Sequence, residues 1–97
     1  MTEPNTYEDI TSDLAIPPGE TLLDELRTRG ITQVELAKTM ARPQKVISQI
    51  INGKKAITSE TALQLEKALE GTSAMTWLRL EAHYRLTLAR LAEQVTV

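Results

Sequence analysis

The sequence predicts an all-α domain of five helices with a long C-terminal helix, on three observations. Its apolar residues are mostly Leu, Ile, Ala and Val, with one Trp, two Tyr and no Phe in 97 residues, a composition suited to aliphatic packing between helices. Polar caps at Thr32, at Thr58 or Ser59, and at Ser73 alternate with glycine stops at Gly30, Gly53 and Gly71. Between caps and stops, apolar residues recur at spacings of three and four.

Residues 1–16 are polar and acidic, with Tyr7, Ile10, Leu14 and Ile16 as scattered apolar anchors, and read as a flexible arm. Pro17-Pro18-Gly19 closes it, and the domain occupies 17–97. A first helix from about Gly19 or Glu20 to Arg29 turns Leu22, Leu23 and Leu26 inward, with acids in its first turn, arginines in its last and Gly30 as a left-handed stop. Thr32 caps the second helix, Glu35 completes a capping box, and Ile31 and Leu36 form a hydrophobic staple; the helix runs to Met40. Ala41-Arg42 must turn before Pro43, the expected first residue of a third helix reaching Asn52. Its inward face is Val46 or Ile47, with Ile50 and Ile51. The fourth helix buries Ala62, Leu65, Ala68 and Leu69 before Gly71.

The last helix, Ala74 to about Gln94, carries Trp77, Leu80, Tyr84, Leu88, Leu91 and Val95 on one stripe and Leu78, Ala82, Leu86 and Ala89 on a second. Two stripes need two surfaces. Either a small bundle wraps both, or one packs on the domain and the other on a second copy, with Trp77 and Tyr84 in the core and Leu88 and Leu91 at the dimer interface.

Ninety-seven residues suffice for one helical core. No cysteine is present, which excludes disulfides and thiolate metal sites. The acidic start does not resemble a signal peptide, and no apolar run approaches the roughly 20 residues that span a bilayer, so the expected compartment is the cytoplasm with no membrane contact. His83 is the single histidine, so no metal cluster is expected. Phosphate loops, nucleophile elbows and catalytic triads are missing, which points away from an enzyme and from any cofactor.

The net charge of −2 hides a sorted distribution. Residues 1–26 hold seven acids and no base, 27–55 hold seven bases against Glu35 alone, and the rest is nearly balanced. A basic segment inside an acidic chain suits either one localised anionic partner or a solvated face.

That basic segment coincides with a helix-turn-helix layout over Thr32 to Gly53, in which one helix braces a second that enters the DNA major groove. Ala37 is small where the two helices cross, while Val34, Leu36, Met40 and Ile47 are apolar where the pair meets the domain. Gln44, Lys45, Ser48 and Gln49 fall on the open face of the third helix as base readers, Gln suiting adenine and Lys suiting guanine. Gln33, at a helix N-terminus, and Arg42, Asn52, Lys54 and Lys55 border that face as phosphate contacts.

From Pro17 to Leu91 the chain resembles the HigA (VapI-like) antitoxins of type II toxin-antitoxin modules. The segments that carry the likeness are IPPGETLLDEL at 16–26, TQVELAKTM at 32–40, ISQIINGKKAITSETALQLEKALEG at 47–71 and WLRLEAHYRL at 77–86. The resemblance implies an XRE/Cro-type, lambda-repressor-like fold and a homodimer that represses its own promoter by binding a palindromic operator. It also implies a HigB-like, mRNA-cleaving toxin as protein partner, to which the nuclease activity belongs. Two positions depart from the family: Ala41-Arg42 replaces a common Gly-Val in the turn, and Val46 stands where many members carry a polar or basic reader. A stand-alone phage-type regulator, and an interaction protein that binds toxin mainly through its acidic arm, are the alternatives.

Overall fold

Local capping chemistry sets where each of five α-helices begins and ends: α1 (Pro18–Arg29), α2 (Gln33–Met40), α3 (Gln44–Ile51), α4 (Ser59–Ala68) and α5 (Ala74–Thr96). The computed structural model describes residues 15–96, and among these no strand occurs. The predicted arm at 1–16 lies outside the described residues except for Ala15 and Ile16.

α1 starts one residue earlier than predicted, with Pro18 as its first residue and Pro17 as the extended cap. A proline there already has a helical φ and gives up only an N–H that the first turn leaves unpaired. The helix closes at Gly30, φ 70°, whose N–H donates to the Arg27 carbonyl while the Ile31 N–H donates to that of Leu26. The capping box of α2 is complete: the Glu35 N–H donates to Thr32 Oγ1 at 3.1 Å, and the Thr32 N–H donates to Glu35 Oε1 at 2.8 Å. Pro43 is the extended cap of α3 rather than its first residue, since its ψ of 145° lies outside the helical range. Of the two candidates for α4, Thr58 is the cap. In α5, Ser73 Oγ accepts the Thr76 N–H at 3.1 Å.

All five helices contribute to one core, with Leu22 and Leu26 from α1, Leu36, Ala37 and Met40 from α2, and Ile47 and Ile50 from α3. Ile57, Ala62, Leu65, Leu69 and Trp77 complete it. The Trp77 indole N–H reaches Thr72 Oγ1 at 3.1 Å, so the largest core side chain buries no unsatisfied donor. Val34 departs from prediction: it is exposed, because it lies about 200° around α2 from Leu36 at 100° per residue, opposite the buried face. Leu23, Val46, Ile51 and Ala68 are half-buried. On α5, Trp77 is buried and Tyr84 half-buried, whereas Leu86 and Leu88 are exposed at 51% and 37%. Ala82 and Ala89 are exposed beside Leu86 while Leu78 is half-buried against the core, so the domain covers the first stripe from Trp77 to Tyr84 and leaves the second open beyond Leu78. No helix among the described residues is long and apolar enough to cross a membrane.

Two backbone features fix the frame. Gly19 lies flat against the end of α3, where a β-carbon would fall on the carbonyl oxygens of Ile50 and Ile51 and 2.5 Å from the Ile51 Cα. Ala41 ends α2 in the left-handed region, φ 55° and ψ 43°, the only non-glycine among the described residues with positive φ. Its N–H donates to the Lys38 carbonyl and that of Arg42 to Ala37, the arrangement that elsewhere favours glycine.

Opposite outcomes follow for two alanine–glycine exchanges in urea unfolding. Gly19→Ala inserts a methyl group into backbone and is expected to destabilise the protein by about 2–3 kcal/mol. Ala41→Gly relieves left-handed strain of about 1–2 kcal/mol, less the greater entropy of unfolded glycine, and is expected to stabilise by about 0.5–1 kcal/mol.

Candidate nucleic-acid interface

The basic segment folds into α2, the Ala41-Arg42 turn and α3, followed by a loop that carries Lys54 and Lys55. At 100° per residue, Gln44, Lys45, Ser48, Gln49 and Asn52 occupy about 140° of the α3 circumference. Ile47 and Ile50, both buried, take the opposite side. Gln44 and Lys45 are exposed, while Ser48 and Gln49 are half-buried, so the four predicted base readers share one accessible arc. Half-buried Val46 stands at its edge and supplies no polar group.

The chain holds this arc in place from several sides. The Lys54 and Lys55 N–H groups both donate to the Gln49 carbonyl, at 2.8 and 3.2 Å, so the lysine loop hangs from one of the predicted base readers. Gly53, φ 75°, makes the reversal that allows it. Both lysine side chains are exposed and continue the cationic rim. Asn52 caps the end of α3, with its Nδ2 3.4 Å from Ser48 Oγ, which couples a predicted phosphate contact to a predicted base reader. Gln33 is half-buried at the first position of α2, where unpaired N–H groups and the helix dipole favour an anion.

Arg42 has a second occupation. Its Nη1 donates to Gln64 Oε1 at 2.9 Å and lies 3.4 Å from Thr61 Oγ1, tying the turn to α4. A phosphate reaches this guanidinium only by sharing it with that tie. Sequence spacing missed the tie because Thr61 and Gln64 are 19 and 22 residues away. It also missed Glu81, which accepts the Ile57 N–H from 24 positions earlier and whose one visible signal is an acid placed four residues after Trp77 on an otherwise apolar stripe. Leu88 and Leu91 lie on α5, remote in sequence from the reading arc, and Leu91 is half-buried. Among the described residues no three acidic or histidine side chains gather as a metal-ion cluster.

The arrangement offers hydrogen-bonding side chains along one helix, backed by a buried aliphatic face and bordered by cations, on a surface an α-helix can present to a groove about 12 Å wide.

Comparison with known proteins agrees with this geometry. A family model described as helix-turn-helix matches residues 23–75. Virulence-associated proteins A and I of Dichelobacter nodosus are 40% and 35% identical over 64% and 82% of this chain. The matches span 61% and 74% of those relatives, so the chain covers about three fifths of the length of the first. An addiction module antidote protein of a HigA family from Coxiella burnetii is 35% identical, with a TM-score of 0.76, over 84% of this chain and 88% of that one. The antitoxin HigA of Pseudomonas aeruginosa, solved with the higBA promoter, is 28% identical, with a TM-score of 0.78, over 86% and 90% of the two chains. Since the likeness runs through the helix-turn-helix and on into α5, the protein belongs to the HigA (VapI-like) antitoxin family, with an XRE/Cro-like helix-turn-helix domain.

Proposed function

We propose that this protein is a cytoplasmic antitoxin that binds operator DNA as a homodimer, represses its own promoter and neutralises a HigB-like toxin. The observation that carries the DNA-binding part is the accessible arc of Gln44, Lys45, Ser48 and Gln49, joined to Lys54 and Lys55 through one carbonyl. A relative of the same fold solved with its promoter supports it. α3 lies in the major groove, where its arc reads base edges. Gln33, Asn52, Lys54, Lys55 and the shared Arg42 hold phosphates, which position the protein without reading sequence. Its family is one of regulators, and no enzymatic step is assigned to this chain.

The homodimer rests on α5. We assign its interface to Leu88 and Leu91, at the distal end of the first stripe, where burial falls away from that of Trp77. The toxin contact rests on charge: the seven acids and no base of residues 1–26 suit a basic, RNA-binding partner.

An electrophoretic shift of the protein's own upstream DNA tests the first part. Wild type is expected to bind it in preference to an unrelated duplex, and a Lys45→Ala, Gln49→Ala double variant to lose about 30-fold or more, at about 1–3 kcal/mol per base contact. Absence of specific binding by wild type would leave toxin capture as the main activity. For the interface, Leu91→Asp is expected to convert a dimer to monomers in sedimentation, and Leu86→Asp to leave it dimeric; the reverse pattern would place the seam on the second stripe.

A further inference from the structure

The loop between α3 and α4 is tied to α5 by a hydrogen bond at its far end. At its far end, Glu81 Oε1 accepts the buried Ile57 N–H at 2.9 Å, and Glu81 Oε2 accepts the Arg85 Nε–H at 2.5 Å. At its near end, Tyr84 sets its hydroxyl 3.8 Å from where a β-carbon on Gly53 would stand. Arg85 lies over the Tyr84 ring, 5.0 Å from its centroid. Glu81 and Tyr84 are three residues apart and therefore neighbours on one face of α5. Between Gly53 and Ile57 are Lys54 and Lys55, whose backbone is suspended on the other side from Gln49 of the predicted reading arc.

Glu81 is 9% exposed, on a stripe that otherwise presents Trp77, Leu80 and Tyr84. Burying a carboxylate is unfavourable unless its oxygens are paired. Here both are paired, one with an arginine on its own helix and one with the backbone of the lysine loop. The first bond stays within α5, so the second is the one that fixes an element outside it.

We propose that Glu81 is a positioning residue for DNA binding: through Ile57 it holds the loop so that Lys54 and Lys55 stand at a set distance from the α3 arc, which makes α5 part of the phosphate clamp. This rests on the operator-binding reading. With the Glu81 bond open, the loop keeps its bonds to Gln49 and the buried Ile57 side chain but loses the hydrogen bond that fixes its backbone against α5, and the lysines lose a fixed place relative to the DNA backbone.

The test is a titration of the full chain against its own upstream duplex over a series of salt concentrations. The slope of log affinity against log salt counts neutralised phosphates, at about 0.9 each. Loss of folded protein lowers affinity without changing that slope. Lys54→Ala, Lys55→Ala together are expected to flatten it by about 1.8 per protomer. Glu81→Ala, and the isosteric apolar Glu81→Met as a second variant that keeps the site filled, are expected to flatten it by about half as much. Glu81→Gln keeps an acceptor for the Ile57 N–H and is expected to retain the wild-type slope. Exchange of the Ile57 amide, followed without DNA, is expected to quicken at least about tenfold in Glu81→Ala and Glu81→Met and to stay slow in Glu81→Gln. Wild-type slopes in both acceptor-less variants overturn the proposal, as does an equal loss in Glu81→Gln. If wild type binds no specific DNA, the operator reading falls and the positioning role falls with it, whereas an altered Ile57 exchange then reports a clasp of structural purpose only.

Discussion

Gly19 has no side chain, and the space where one would begin is filled by the backbone at the end of α3. That close approach sets the distance between α1 and the helix whose opposite face carries the reading arc. Leu22 and Leu26, one and two turns further along α1, are then buried in the core that Ile47 and Ile50 enter from α3. The end of α3 also begins the Gly53 reversal, so the lysine loop takes its starting point from the same contact. Any residue other than glycine at position 19 displaces α3 or α1, and with them the register between arc and rim.

The other end of α3 is set by a strained turn. Ala41 adopts a left-handed conformation that glycine occupies at no steric cost, and the strain persists because the bonds around it leave the chain no alternative. Arg42, next in sequence, braces that turn against α4. α3 is thus held at its start by Ala41 and Arg42, at its end by Gly19, and from behind by Ile47 and Ile50. A rigid presentation limits the entropy lost when side chains are fixed on DNA.

Much of this was legible in the sequence, and the divide between what was and was not follows sequence distance. The capping box at Thr32 and Glu35, the Gly30 stop and the inward face of α3 are decided within about one helical turn and can be read from local sequence. Helix starts at proline shifted by a residue, because a proline serves equally as cap or first helical residue and only ψ separates the two. Val34 is exposed against the expectation because two apolar residues two positions apart on an eight-residue helix cannot both face inward. Gly19 looked like the end of an arm, since nothing local announces that another helix presses against it. The Arg42 tie to α4 and the Glu81 clasp join residues 19 to 24 positions apart and depend on tertiary packing.

On the proposed reading, α3, braced in this way, enters the major groove at two symmetric half-sites. Guanine-N7 methylation interference over the protein's own upstream DNA tests it most directly, because that atom lies in the major groove. Two clusters of interfering guanines are expected, with centres one helical turn apart, roughly 34 Å, or a multiple of that. Binding that tolerates methylation throughout, or a single unpaired cluster, would contradict it.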